Sequence, residues 1–178
     1  MSKLTAHAVL NETMIPMLQS LAAILGKAAQ FAETKKIDPV VLASARLAPD
    51  MFPLTRQVQM ACDTLKNAAA LLAGEQSERF EDNEKTLDDL KARIAKCIAY
   101  VQSFKASAYD GAEARQLTVP LINKLVFEAD GATYVKDWAI PHFFFHVVTA
   151  YDILRHNGLE IGKRDYLSHA GQYIVERG

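Results

Sequence analysis

Two histidines one helical turn apart carry the clearest chemical signal in this sequence. His142 and His146 are four positions apart, which is about 400° of helical rotation, so both imidazoles lie on one face of a helix. Such a pair can share one divalent metal ion. The pair also lies in the most apolar segment of the chain, where a buried imidazole needs a hydrogen-bonding partner or a metal. The alternative is a pair of core histidines bonded to a carbonyl or a carboxylate.

The surrounding sequence lacks the partners of well-known metal centres. His142 is not followed by the Glu of HExxH zinc proteases, and the Glu-x-x-His pairs of di-iron bundles are absent. His7 and His169 lie near the termini, and His156 is about 15 Å from His146 along the same helix. The third ligand is therefore expected to be an oxygen donor, and four residues are candidates: Asp50, Gln57, Gln59 and Asp63.

These four candidates are not equivalent. Gln57 and Gln59 are about 200° apart on a helix, so they cannot both face inward. Asp50 suits a helix cap equally well, or an ion pair with Arg46 that fixes the turn, and Asp63 equally suits a solvent-facing position. Two histidines with one carboxylate would resemble a non-haem iron site. The catalytic residues themselves are not identified by the sequence.

Apolar residues at helical spacing predict four long helices that would position these groups. A proline at position 16 is expected to kink the first helix or mark its true start. Gly74 is the expected end of the second helix, and a Thr86/Asp89 capping box opens the third. The fourth helix is apolar on nearly every side, so we expect it to be the most buried. The predicted ranges are 4–33, 53–72, 86–106 and 140–157.

The segment between the third and fourth helices changes character. Residues 117–119 and 124–127 are rich in strand-forming residues, and Asp130-Gly131 precedes Thr133-Tyr134-Val135. An Asp-Gly pair between such segments predicts the turn of a small β-hairpin. The polar segment 75–85 is expected to be a solvated loop, and the segment from 161 is expected to pack back on the bundle.

Length and composition restrict the class of protein. The 178 residues suit one domain spanning 1–178, and the net charge of -1 without a basic run argues against nucleic acid as a partner. We expect no membrane partner and a cytoplasmic location, because the N-terminus lacks a signal peptide and no segment approaches roughly 20 uncharged apolar residues. Cys62 and Cys97 are expected to be buried free thiols.

Two longer motifs resemble a known family. The first is Arg46-Leu47-Ala48-Pro49-Asp50-Met51-Phe52-Pro53-Leu54 followed by Gln57-Val58-Gln59. The second runs from Pro141-His142-Phe143-Phe144-Phe145-His146 through Thr149-Ala150-Tyr151-Asp152-Ile153-Leu154-Arg155-His156-Asn157-Gly158 to Ile161-Gly162-Lys163-Arg164-Asp165. Together they resemble an uncharacterised bacterial family of the DinB-like superfamily, and the resemblance spans nearly the whole chain.

Membership would imply an all-α, DinB-like four-helix bundle with an unusual helix order and frequent dimerisation. The superfamily typically binds a divalent metal through one histidine on the second helix and a His-x-x-x-His pair on the fourth. His142 and His146 match that pair, but the stretch 47–98 contains no histidine. Some relatives are thiol-dependent transferases or isomerases, which is an analogy of fold alone.

Two functional hypotheses follow from these residues. In the first, the chain is a metal-dependent transferase or hydrolase that binds a small molecule in a pocket around His142 and His146, with one Zn, Ni, Fe or Mn ion. In the second, it is a non-catalytic homodimeric bundle without metal, and the histidines satisfy hydrogen bonds in the core.

Overall fold

The computed structural model describes residues 5–177, apart from the side chain of Ile122. Four long helices form a bundle, as the sequence predicts. They are α1 (Ala6–Lys35), α3 (Leu54–Ala73), α4 (Leu87–Gln102) and α5 (Ile140–His156), and a short helix α2 (Pro39–Ser44) lies between α1 and α3. A two-stranded hairpin, β1 (Gln116–Pro120) with β2 (Val126–Asp130), separates α4 from α5. The predicted all-α bundle with a small hairpin excursion is confirmed.

The bundle has an uncommon arrangement of helix directions. Gln57 contacts His146, and Leu72 lies against Gly131 just before α5, so α3 and α5 are antiparallel. Helices α3 and α4 are parallel instead, because Glu75, just past the end of α3, lines the same recess as Tyr100 near the end of α4. A long crossover, residues 74–86, returns the chain along the bundle between these two parallel helices.

Helix α1 is continuous through Pro16. Thr5 caps its first turn, and a π-helical segment, Val9–Met14, precedes the proline. A π-bulge at this point accommodates the proline, whose ring removes a backbone donor. By length and composition alone, α1 could cross a membrane, which differs from the expectation for the sequence. In the bundle, 56% of its most apolar window is buried, and one such helix is weak evidence for a membrane span.

The end of α3 and the start of α4 have clear physical causes. Gly74 takes a φ of 78° and donates its N–H to the carbonyls of Ala70 and Leu71, which ends α3. Thr86 and Asp89 form the predicted capping box at the start of α4. Helix α4 ends at Gln102, four residues before the predicted end at 106.

The prediction of a hairpin turn at Asp130-Gly131 is wrong. The strands pair with Gln116 opposite Asp130, so Asp130 ends the second strand rather than opening a turn. Its side chain accepts a hydrogen bond from the N–H of Thr133, which makes it a helix cap. Helical structure then runs through Gly131–Tyr134 and the π-helical Val135–Ala139 into α5. Asp is favoured in both settings, and the local sequence did not distinguish them.

The prediction that α5 is the most buried helix is also wrong. Seven of the 17 residues of α5 are buried, against 13 of the 20 in α3. Helix α3 is central because it packs against both α4 and α5. On α5, by contrast, the side chain of Phe145 is 57% exposed.

The crossover is a mostly exposed loop, as its polar sequence predicts, but it also makes specific contacts with the bundle. Phe80 is buried within it, and the cationic groups of Lys66, Arg93 and Lys96 lie 5.1, 5.8 and 3.9 Å from the centre of its ring. Lys66 also donates to the carbonyl of Glu78. Through these contacts the crossover packs against both α3 and α4.

The remaining predictions on packing are confirmed. The segment after α5 packs back on the bundle through an ion pair between Lys27 and Asp165. Cys62 and Cys97 are buried free thiols, and the Cys97 thiol donates to the Cys62 carbonyl at 3.3 Å. The hydrogen bond with the Cys97 thiol, together with burial, raises the pKa of Cys62.

Candidate functional site at the α3–α5 interface

The two histidines lie side by side on α5, where this helix packs against the first turns of α3. Their ring centres are 5.0 Å apart, and the ring of Trp138 lies 5.6 Å from that of His142. His146 is 4% exposed, whereas His142 is half-buried. The helical spacing therefore places both imidazoles together, as predicted.

Gln57 holds His146 in one orientation. The Oε1 atom of Gln57 lies 2.7 Å from Nδ1 of His146, and its Nε2 donates to the Phe52 carbonyl at 3.1 Å. Because the carbonyl of Phe52 fixes which end of the amide faces the imidazole, Oε1 must accept and Nδ1 of His146 must carry the proton. In the neutral ring, the lone pair is then on Nε2.

Both imidazoles are held in the neutral form. Burial lowers the pKa of His142, and burial together with His142 and Arg56 lowers the pKa of His146 to about 4. At neutral pH, each ring therefore offers an unprotonated nitrogen, which is the state that binds a metal ion or accepts a proton from a substrate.

Gln57 is the candidate third ligand that the structure brings to the histidines. Gln59 faces away from them and donates to Glu84 at 2.8 Å. Asp63 accepts from Arg93 at 2.9 Å, and burial raises the pKa of its carboxyl group. Asp50 is exposed. The opposed directions of Gln57 and Gln59 agree with their predicted separation around the helix.

Two structural interpretations of Asp50 are wrong. Pro53 precedes the first residue of α3, and no side chain caps this helix. Arg46 donates instead to the main-chain carbonyls of Pro49 and Met51, at 3.4 and 3.2 Å. The turn before α3 is thus fixed by a guanidinium group bonded to carbonyls rather than by an ion pair with Asp50.

A group of charged residues beside the site was missed from the sequence. The buried Arg93 binds the carboxylates of Asp63, Asp82 and Glu84 at 2.9, 3.0 and 2.9 Å. Asp82 also pairs with Arg56, the neighbour of Gln57. One signal was present: Arg93 lies three residues after Leu90 and four before Cys97, on the buried stripe of α4.

The donor set around the histidines is rich in nitrogen and poor in carboxylate. Within residues 5–177, no three His, Cys, Asp or Glu side chains are grouped so that they could hold a metal ion. The three nearby carboxylates are bound by Arg93. A recess of about 400 Å³, lined in part by Glu75, Tyr100 and Phe104, lies at the opposite end of α3.

Comparison with known proteins agrees with this architecture. Residues 7–167 match the family model described as a domain of unknown function (DUF1993). The chain is also similar to the crystal structure of a DinB family member protein from Shewanella denitrificans, with 40% sequence identity, a TM-score of 0.83 and 90% of each chain covered. A comparison with curated proteins gives no match. This chain belongs to the DUF1993 family of DinB-like proteins, a family of unknown function.

Proposed function

We propose that a divalent transition-metal ion binds at the α3–α5 interface through His142 and His146. The observation that carries this proposal is the hydrogen bond from Nδ1 of His146 to Gln57. Histidines that bind metals commonly donate their second ring N–H to an oxygen, which fixes the tautomer and aims the other nitrogen at the ion. In His146, the oxygen that accepts this N–H is Oε1 of Gln57.

The residues around His142 and His146 fit such an ion in part. Two neutral imidazoles favour zinc or nickel, and also suit iron, over harder ions such as manganese. The protein supplies these two nitrogens without a carboxylate, so water or substrate would complete the coordination. When bound, the ion would polarise a substrate or activate a water molecule, as in a metal-dependent transferase or hydrolase.

The chain's own residues have separate tasks in this proposal. Gln57 keeps the proton of His146 on Nδ1, and the Phe52 carbonyl keeps Gln57 from turning over. Burial keeps both rings unprotonated at neutral pH. Trp138 packs against His142 and restricts the orientation of that ring.

The proposal is tested by calorimetric titration of the protein with Zn²⁺ and Ni²⁺. We expect His146→Ala to abolish the binding that the unaltered chain shows. Replacing Gln57 by Leu should weaken binding about 10- to 100-fold, the usual effect of losing a partner of a metal ligand. His156→Ala, which removes an exposed ring from the same helix, is the matched control. Equal affinity in the His146 and His156 variants would contradict the proposal.

A second function, a homodimeric bundle without metal or catalysis, is favoured by a different observation. Phe52 and Phe145 are 51 and 57% exposed next to the histidine site, and exposed apolar patches often mark interfaces. In this case the oligomer would dissociate when Phe145 is replaced by Glu, which sedimentation measurements would detect. An unchanged sedimentation coefficient would exclude this face from the interface.

A further inference from the structure

Arg56 is anchored through one of its two terminal nitrogens. Its Nη1 atom donates to Oε1 of Gln59 at 3.2 Å and to the carboxylate of Asp82. The other oxygen of Asp82 is bound by Arg93 at 3.0 Å. Because Arg93 is itself buried, Asp82 and Gln59 hold the guanidinium group of Arg56 at a fixed place near His146.

The opposite edge of the same guanidinium group makes no hydrogen bond within residues 5–177. Within residues 5–177, the hydrogen bonds of Arg56 use Nη1, which leaves the pair of donors on Nε and Nη2. The side chain as a whole is 34% exposed, so Arg56 is not sealed inside the bundle. Two parallel N–H groups in a rigid plane match the two oxygens of a carboxylate.

Two exposed apolar rings lie close to Arg56 and to His146, one beside each. The ring of Phe52 lies 5.8 Å from the Arg56 guanidinium carbon, and the ring of Phe145 lies 5.2 Å from that of His146. Both phenylalanines are more than half exposed. The nearby carboxylates of Asp63, Asp82 and Glu84 are already bound by arginine, so a ligand anion would not face an unpaired acidic group.

We propose that the ligand of the α3–α5 site is a small apolar carboxylate, bound by the Nε–Nη2 edge of Arg56 with its apolar part against Phe52 and Phe145. This inference deepens the proposed function, since it names the ligand class of the same site. The carboxylate is bound by Arg56 beside His146, and the crossover contributes through Asp82, which positions Arg56.

The proposal is tested with benzoate and with its neutral isostere benzamide, on protein freed of metal by chelator and dialysis. We expect benzoate, and not benzamide, to shift the Cε1–H resonance of His146 in NMR spectra. Arg56→Lys keeps the charge but loses the two parallel N–H donors, so it should weaken benzoate binding about tenfold or more. Arg79→Gln, at an exposed position of the crossover, is the matched control and should bind as the unaltered chain does.

Three outcomes would overturn the proposal. They are equal shifts with benzoate and benzamide, unchanged benzoate binding in Arg56→Lys, and benzoate shifts confined to residues away from Arg56, Phe52 and His146. The comparison of the two probes needs no variant, so it stands even where a substitution at Arg56 disturbs folding. Because the protein is free of metal, failure here is distinct from failure of the metal proposal.

Discussion

The buried, neutral His146 makes the stability of the fold depend on pH in a defined window. In the unfolded chain the imidazole takes up a proton near its ordinary pKa of 6.5, whereas in the folded chain the pKa is about 4. Between these values the unfolded state binds more protons, so stability falls as the pH falls. The contribution is complete above 6.5 and is lost progressively as the pH drops to about 4.

The magnitude follows from the two pKa values. At about pH 5, a single group with these values costs about 2 kcal/mol of unfolding free energy relative to about pH 8. The ring is 4% exposed, so solvent screening removes little of this. Lowering of the His142 pKa by burial adds a further loss of the same sign.

Urea unfolding at both pH values, compared between the unaltered chain and His146→Phe, measures this contribution. Other titrating groups cancel in the comparison, so the pH-dependent loss should be about 2 kcal/mol smaller in the variant. His156→Phe, at an exposed position on the same helix, should keep the full loss. Equal pH dependence in the unaltered chain and His146→Phe would refute a buried neutral His146.

Three further predictions concern residues around the site and the hairpin. Arg93→Met removes the partner of the three carboxylates Asp63, Asp82 and Glu84. It should lower the free energy of unfolding, measured in urea, by about 3–5 kcal/mol. A loss under about 1 kcal/mol would contradict this role of Arg93. Gln57→Glu places a carboxylate on Nδ1 of His146 and should raise the pKa of that histidine in an NMR titration, whereas an unchanged pKa would mean that the two side chains do not meet. Gly131→Ala places a Cβ 2.0 Å from the Ala112 carbonyl oxygen and should lower the melting temperature, while Gly26→Ala, with nothing within 4 Å of the new Cβ, should leave it unchanged or raise it.

The sequence predicts the elements of this fold that local rules determine. Helix periodicity, the capping box at Thr86 and the terminating Gly74 each depend on neighbours within one or two turns, and the structure confirms them. The i, i+4 spacing likewise brings His142 and His146 together. These features need no knowledge of how the helices pack.

Features that depend on tertiary packing were not predictable in this way. Asp130 caps a helix whose first residue, Gly131, lies close to the Ala112 carbonyl, and this contact joins separate segments of the chain. The crossover packs on the bundle because the ring of Phe80 contacts Lys66 of α3 and Lys96 of α4. Gln57 could be distinguished from Gln59 only once the α3–α5 interface was known.

The metal content of untagged protein, purified without chelator, tests the central claim most directly. Elemental analysis of the unaltered chain should be compared with His142→Ala/His146→Ala. We predict near-stoichiometric transition metal in the unaltered chain and its loss in the double variant. Equal metal content in both proteins, or none in either after incubation with zinc, nickel, manganese or iron(II), would contradict a metal site at these histidines.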